Sequence, residues 1–246
     1  MPALRRLPLA LVLLAVTGCR ELDIIGDTAG LDRHFVPLLV AARSGDSTTA
    51  RLRLKTFLPE WTRYRDRYRG YIEADSLWTP DFEQLDTLIT EAAFIIDSED
   101  YLPDAHENLE DVRMILFELR ERNDIDYFVD YLNEFSELAG QVGAITRNHP
   151  ADTLTEQEIA SLTALAASAR GVWDDVEETE FDAASFGFDG SRQARLEDGV
   201  LGVAALLSRF EQALAGRNQA DIINAGTALR PESDELYLLF GDFATE

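Results

Sequence analysis

Three histidines, His34, His106 and His149, and one cysteine, Cys19, are the scarce reactive side chains of a 246-residue chain that carries 46 acids. His106 and Glu110 stand four apart in His106-Glu107-Asn108-Leu109-Glu110. On a helix that spacing stacks imidazole and carboxylate one turn apart on one face. A zinc ion could use both, yet catalytic zinc takes three protein ligands and an open position. The second histidine of a His-Glu-x-x-His motif is replaced here by Glu110, and no third donor is evident. His106 and Glu110 are thus a two-ligand metal candidate, weighed against a plain hydrogen bond or ion pair beside a helix seam. Di-iron bundles need Glu-x-x-His on two helices. The residues three before the histidines are Leu31, Pro103 and Thr146, so that pattern is absent.

The densest acidic run is Asp174, Asp175, Glu177, Glu178, Glu180 and Asp182. It lacks the Asp-x-Asp-x-Asp-Gly order of a calcium loop and reads as a solvated helix end. Asp97, Glu99, Asp100 and Asp104 read the same way. Gly187-Phe188-Asp189-Gly190-Ser191 is neither a serine elbow nor a phosphate loop, which would need a lysine; the only lysine, Lys55, lies elsewhere. No catalytic set and no cofactor are expected. The phenylalanines of loop 181–191 either meet a partner or close one end of a bundle.

The elements carrying these residues are helices throughout, because apolar residues recur every three or four positions and no stretch alternates with period two. The first helix is expected over 31–43, with Phe35, Leu38, Leu39 and Ala42 on one face. A second, about 48–70, carries Leu54, Phe57, Leu58, Trp61, Tyr64, Tyr68 and Tyr71, with Pro59 inside it as an expected kink. Its arginines should answer acidic neighbours. A third covers 80–97, and a kink or restart at 98–104 leads into Leu102, Ala105, Leu109, Val112, Leu116 and Leu119. That row has the heptad spacing of a near-parallel helix seam. A helix over 125–139 follows, and Gly140 to Asp152 is expected to be a joint. Beyond it Thr155 and Glu158 form a capping box, flanked by Leu154 and Ile159 as a hydrophobic staple. The next helix runs to about 180, another carries Leu196, Val200, Val203, Leu207, Phe210 and Leu214, and a last covers 219–240 around Pro231. A shift of 172 residues lays Gly45-Asp46 on Arg217-Asn218 and Pro59-Glu60 on Pro231-Glu232.

The expected fold is all-α, an up-and-down antiparallel arrangement of eight helices in two four-helix bundles. The expected divisions are bundle 1 over 32–140, a linker over 141–153 and bundle 2 over 154–246. The helical part resembles four-helix bundles of the cytochrome b562 and c′ type in architecture only. It has no Cys-x-x-Cys-His for haem attachment, and no Met and His stand at opposite bundle ends.

The first residues, MPALRRLPLALVLLAVTGC, place Arg5 and Arg6 before an apolar run from Leu7 to Val16. The run is too short to span a bilayer, which takes ~20 apolar residues, and has the layout of a secretory signal. Val16-Thr17-Gly18-Cys19 resembles the lipobox of bacterial lipoproteins. The resemblance implies that residues 1–18 are removed, that Cys19 is acylated and becomes the N-terminus, and that residues 19–31 tether the domain to the membrane. Arg20, rather than Asp, follows Cys19, which in that family favours the periplasmic face of the outer membrane over the inner one. A lone cysteine forms no intrachain disulfide, in keeping with a lipid-capped thiol.

The formal charge is −24, and loss of Arg5 and Arg6 makes it −26. Nucleic-acid binding rests on lysine and arginine against phosphate, so that partner class is excluded. With 46% hydrophobic residues the chain is composed like a folded domain. The reading from sequence is a lipid-anchored, non-enzymatic helical protein of the cell envelope acting through protein contacts. Its alternative is a binding protein for a metal ion, haem or small ligand between helices. Cys19→Ser should accumulate as uncleaved precursor that takes up no labelled palmitate; normal maturation of that variant would remove the lipobox assignment.

Overall fold

The computed structural model describes residues 23–98, 101–147, 149 and 153–244; the leader and Cys19 lie outside them. The described residues form α1 (Ile24–Ser44), α2 (Ser47–Tyr68), α3 (Trp78–Ser98), α4 (Leu102–Glu121), α5 (Phe128–Thr146), α6 (Glu156–Glu178), α7 (Gly190–Gly216) and α8 (Gln219–Leu238), with no strand among them. None of these helices is long and apolar enough to cross a membrane. Helices α1 to α4 pack in a ring, each on the next and α4 back on α1; α5 to α8 form a second ring. Each ring surrounds its own apolar core.

Local signals in the chain set these helices. The heptad row from Leu102 to Leu119 is buried throughout. Thr155 and Glu158 exchange their reciprocal cap bonds at 3.2 and 2.8 Å, with Leu154 and Ile159 buried beside them. The arginines of α2 do meet acids across the bundle: Arg65 bonds Asp86, Arg69 bonds Glu83 and Arg67 pairs with Asp27. The internal repeat shows in its turns. Gly45 and Arg217 both take the left-handed conformation, and Asp46 and Asn218 both cap the helix that follows. Arg217 accepts there a steric cost of ~1 kcal/mol that glycine avoids.

Three expectations are corrected. Residues 23–31, expected as part of a tether, belong to the folded domain: Asp23 caps α1 by accepting from the Gly26 N–H at 2.9 Å, and Thr28, Ala29 and Leu31 are buried. The joint expected over 141–153 is helical up to Thr146. Gly140 and Gly143 sit inside α5, which packs on α6 and α8, so the first bundle ends with α4 and the chain crosses over at 122–127. Gly140 and Gly226 of this helix pair serve close approach rather than a break. A Cβ on Gly226 of α8 would lie 2.9 Å from Thr146 and 3.0 Å from Val142 of α5. Finally, α1 buries more than one stripe. Phe35, Leu38, Leu39 and Ala42 face the first core as their spacing predicts, while Ala29 and Val36 join the second.

Helix α1 is thus the common wall, and polar links cross it. Tyr127 donates to Asp32 at 2.6 Å. Arg120, at the end of α4, holds Asp130 of α5 through two bonds of 2.7 and 2.6 Å and lies over the Tyr127 ring. Pro37 has no N–H to offer the Arg33 carbonyl one turn earlier. The N–H of Asp242 fills that vacancy at 2.8 Å, and Arg53 of α2 holds the carbonyls of Asp242, Phe243 and Ala244. The C-terminal segment is thereby strapped across α1 onto the first bundle.

Burial pushes the Asp32 carboxyl up to about 6, against the Tyr127 hydrogen bond and the Arg120 charge. Between about pH 4 and 6 the folded chain keeps a proton that the unfolded chain has lost, so stability falls with rising pH across that window. Asp32→Asn keeps an acceptor for Tyr127 and buries no charge. In urea unfolding it should match the parent near pH 4 and exceed it by roughly 3 kcal/mol at pH 7.5. A variant less stable than the parent at pH 7.5 would instead show that Arg120 depends on the ionised form.

Candidate functional site

The three histidines go to different places. His34 lies half-buried on α1. His149 bonds Thr153 at 3.2 Å and Glu158 at 3.0 Å, bracing the start of α6. His106 lies on the second turn of α4, half-buried, with its Nε2 3.7 Å from a Glu110 oxygen. Glu110 already accepts from Arg113 Nε at 2.7 Å. A cation at His106 and Glu110 would therefore sit beside a guanidinium. Among the described residues, no group of three or more His, Cys, Asp or Glu side chains converges as metal ligands.

His106 and Glu110 instead line a cleft of about 630 Å³ between the two bundles. Its walls come from α1, α4, α5 and α8: Leu39, Val40 and Arg43; His106, Glu110 and Arg113; Asn133, Ser136 and Gly140; and Arg230, Asp234 and Tyr237. That volume lies in the range of small-molecule sites, as does the mixture of apolar walls with a few converging polar groups. Each wall follows from helix periodicity. His106, Glu110 and Arg113 recur at four and three positions on the flank of the α4 seam, and Ser136 and Gly140 do the same on α5.

Two of the three carboxylates in the walls are committed, and the third, Glu137, is exposed. Asp234 accepts from Ser136 at 3.0 Å and Arg43 at 3.4 Å, with Arg230 Nε 3.8 Å away, and Glu110 is held by Arg113. The polar atoms of the walls are not all used. His106 Nδ1 and Arg230 Nε are buried without a hydrogen bond among the described residues. Arg113 donates to Glu110 through Nε, and neither its terminal nitrogens nor the Tyr237 hydroxyl is among the buried unpaired atoms. Burial, with Arg43 and Arg113 nearby, holds the His106 imidazole below its ordinary value, while Glu110 opposes them. Burial and the Asp32 charge push the Tyr237 hydroxyl up, so it stays a neutral donor.

The other features singled out in the sequence lie elsewhere. Asp174, Asp175, Glu177 and Glu178 are exposed on the last turns of α6, and Glu180 and Asp182 are exposed beyond it. Phe181, Phe186 and Phe188 close the second bundle against Phe128 and Phe240, with ring centroids 5.0 Å apart for Phe128–Phe181 and 5.1 Å for Phe188–Phe240. Sequence reasoning found His106 and Glu110 and missed Arg113, Arg230 and Tyr237. Nothing local marks those three, because the site forms only when four helices from two bundles meet.

Comparison of the chain with protein-family models, curated proteins and solved structures returns no match. Because His106 and Glu110 offer zinc two donors and an adjacent positive charge, equimolar zinc should leave the melting temperature of the full chain unchanged. A saturable rise that His106→Ala abolishes would restore the metal assignment.

Proposed function

We propose that this chain is a lipid-anchored, non-enzymatic recognition protein of the bacterial cell envelope whose working site is the cleft between its bundles. The resemblance of residues 1–19 to a lipoprotein leader supports the anchoring. The observation that carries the recognition site is the pair of buried, unpaired polar atoms in the cleft walls, His106 Nδ1 and Arg230 Nε. Unused buried polar groups cost free energy in the empty fold, and a ligand recovers it.

The placement fits an anchored receptor. Asp23, where the described fold begins, and Arg43, at the cleft, stand at opposite ends of α1. At 1.5 Å per residue that separation is about 30 Å, so the cleft lies well away from the point where the tether enters. The periplasmic face of the outer membrane is the proposed location, given Arg20 after Cys19. The large acidic surplus keeps the domain solvated and off an anionic bilayer while the lipid retains it.

Contact with another protein is the second reading, and it has its own observation. Phe94 and Tyr101, on either side of the α3–α4 turn, are 70% and 69% exposed. Native mass spectrometry of the chain extracted from membranes separates the two. The cleft reading expects a bound species of small-molecule mass, lost in Tyr237→Phe. A co-purifying protein lost in Phe94→Ser, with an empty cleft, would favour the contact reading.

A further inference from the structure

In the sequence only Arg20, Glu21 and Leu22 separate Cys19 from Asp23, the residue that caps α1. Even fully extended, that length of chain spans no more than ~14 Å. A lipid on Cys19 would therefore hold the start of α1 close to the headgroups, not out in solution. The first bundle supplies the surface around that point. Tyr68, the last residue of α2, donates its hydroxyl to Asp27 in the first turn of α1, Arg67 pairs with the same carboxylate, and the Tyr64 and Thr28 hydroxyls lie 3.0 Å apart. The turn from α2 into α3, residues 69–77, thus lies at the same end of the molecule as the start of α1. Trp78 closes this turn by donating from Nε1 to the Tyr68 carbonyl at 2.6 Å. Asp75 inside it is tied inward, accepting from Arg122 at 2.8 Å and Asn123 at 2.9 Å. Tyr71 and Leu77 are left 41% and 52% exposed, and the Tyr71 ring is fixed edge-on against the buried Tyr68 ring at 5.5 Å. The second bundle is set back from this end. Tyr127, just before α5, meets α1 at Asp32, about 13 Å along the helix from Asp23. The acidic end of α6 is set back with it, since Phe181 packs on Phe128.

We propose that this end of the first bundle is a bilayer-docking face, with Tyr71 and Leu77 seated in the headgroup layer of a zwitterionic membrane beside the acylated Cys19. This rests on the reading of residues 1–19 as a lipoprotein leader. Tyrosine suits such a layer because its ring is apolar while its hydroxyl stays hydrated. Leu77 adds apolar area that water otherwise covers. Two side chains do not hold a domain on a membrane by themselves. The acyl chains supply the affinity, and the short connection makes the contact effectively intramolecular. Asp23, Glu73 and Asp126 are exposed at this end, which disfavours an anionic surface and leaves the zwitterionic one. The acidic remainder of the domain stays in solvent, so contact is confined to this end. Docking here turns the cleft, at the other end of α1, away from the lipid.

Spin labels on single added cysteines test this in the acylated chain reconstituted into phosphatidylcholine vesicles, where acylation leaves Cys19 no free thiol. One label is carried by Leu77→Cys. The other, on Phe94→Cys, reports an exposed apolar position ~25 Å further along α3. The label at 77 should collide severalfold more with oxygen, and severalfold less with a water-soluble nickel complex, than the label at 94. Phosphatidylglycerol vesicles at low salt should shrink that contrast, because the exposed acids are then repelled; a larger contrast there would overturn the zwitterionic assignment. Equal accessibility of both labels to the nickel complex, in a chain whose mass shows the acyl groups, would overturn the docking face and leave the anchor standing. Greater lipid exposure at 94 than at 77 would overturn it too, by placing the opposite end of α3 on the bilayer. A membrane-extracted chain whose Cys19 carries no acyl mass would overturn the anchor and the docking face together.

Discussion

Where the two hydrophobic cores meet, the chain buries an aspartate and an arginine from one bundle against a tyrosine and an aspartate from the segment that begins the other. Arg120 and Asp130 would each cost several kcal/mol if buried alone, and losing either partner of such a pair typically costs ~3–5 kcal/mol. Their two bonds can form only if the end of α4 and the start of α5 hold one register. Tyr127 sits between them and Asp32, under the Arg120 guanidinium. The apolar cores are tolerant of small shifts; this polar junction is not. It joins the two bundles into a single body.

Helix α1 transmits that constraint. An ordinary bundle helix buries one stripe and leaves the rest to water, whereas α1 touches α2, α4 and α8. Its proline is part of the same arrangement. Pro37 withholds a hydrogen bond from Arg33, and the run after α8 supplies it through Asp242. A residue that weakens the helix by itself thus gives the C-terminal segment its docking point. The second bundle is fastened to the first at both of its chain ends: at Tyr127 and Asp130 where it begins, and at Asp242 to Ala244 where it finishes.

The cleft is a consequence of this fastening. Held along α1, the bundles still leave a gap where α4 faces α5 and α8 near the far end of α1, and polar side chains line it. Residues that look like surface flank positions on their own helices become the walls of a recess. Arg113 is the clearest case. On α4 it is one more charged residue beside the heptad row; in the assembled chain it is half-buried between bundles, with its Nε on Glu110 and its side chain lining the cleft.

The amino-acid sequence by itself determined the helices, their seams and several of their caps. Those depend on residues a few positions apart: the Leu102 to Leu119 row, the Thr155–Glu158 box, and the matching turns at Gly45 and Arg217. It also brought out His106 and Glu110, one turn apart, and the leader features on which the proposed anchoring rests. Tertiary structure alone decided which helices share a core. Gly140 and Gly143 read as a break because glycine lowers helix propensity, yet packing against α8 outweighs that preference and carries α5 through them. The same reasoning applies to α1, whose run from Phe35 to Ala42 is apolar on every side, a pattern whose meaning depends on having a second bundle to face. The cleft lay beyond local reading for the same physical reason. Its walls come from segments more than a hundred residues apart, and the buried junction around Arg120 and Asp130, with the C-terminal strap, fixes the distance between them.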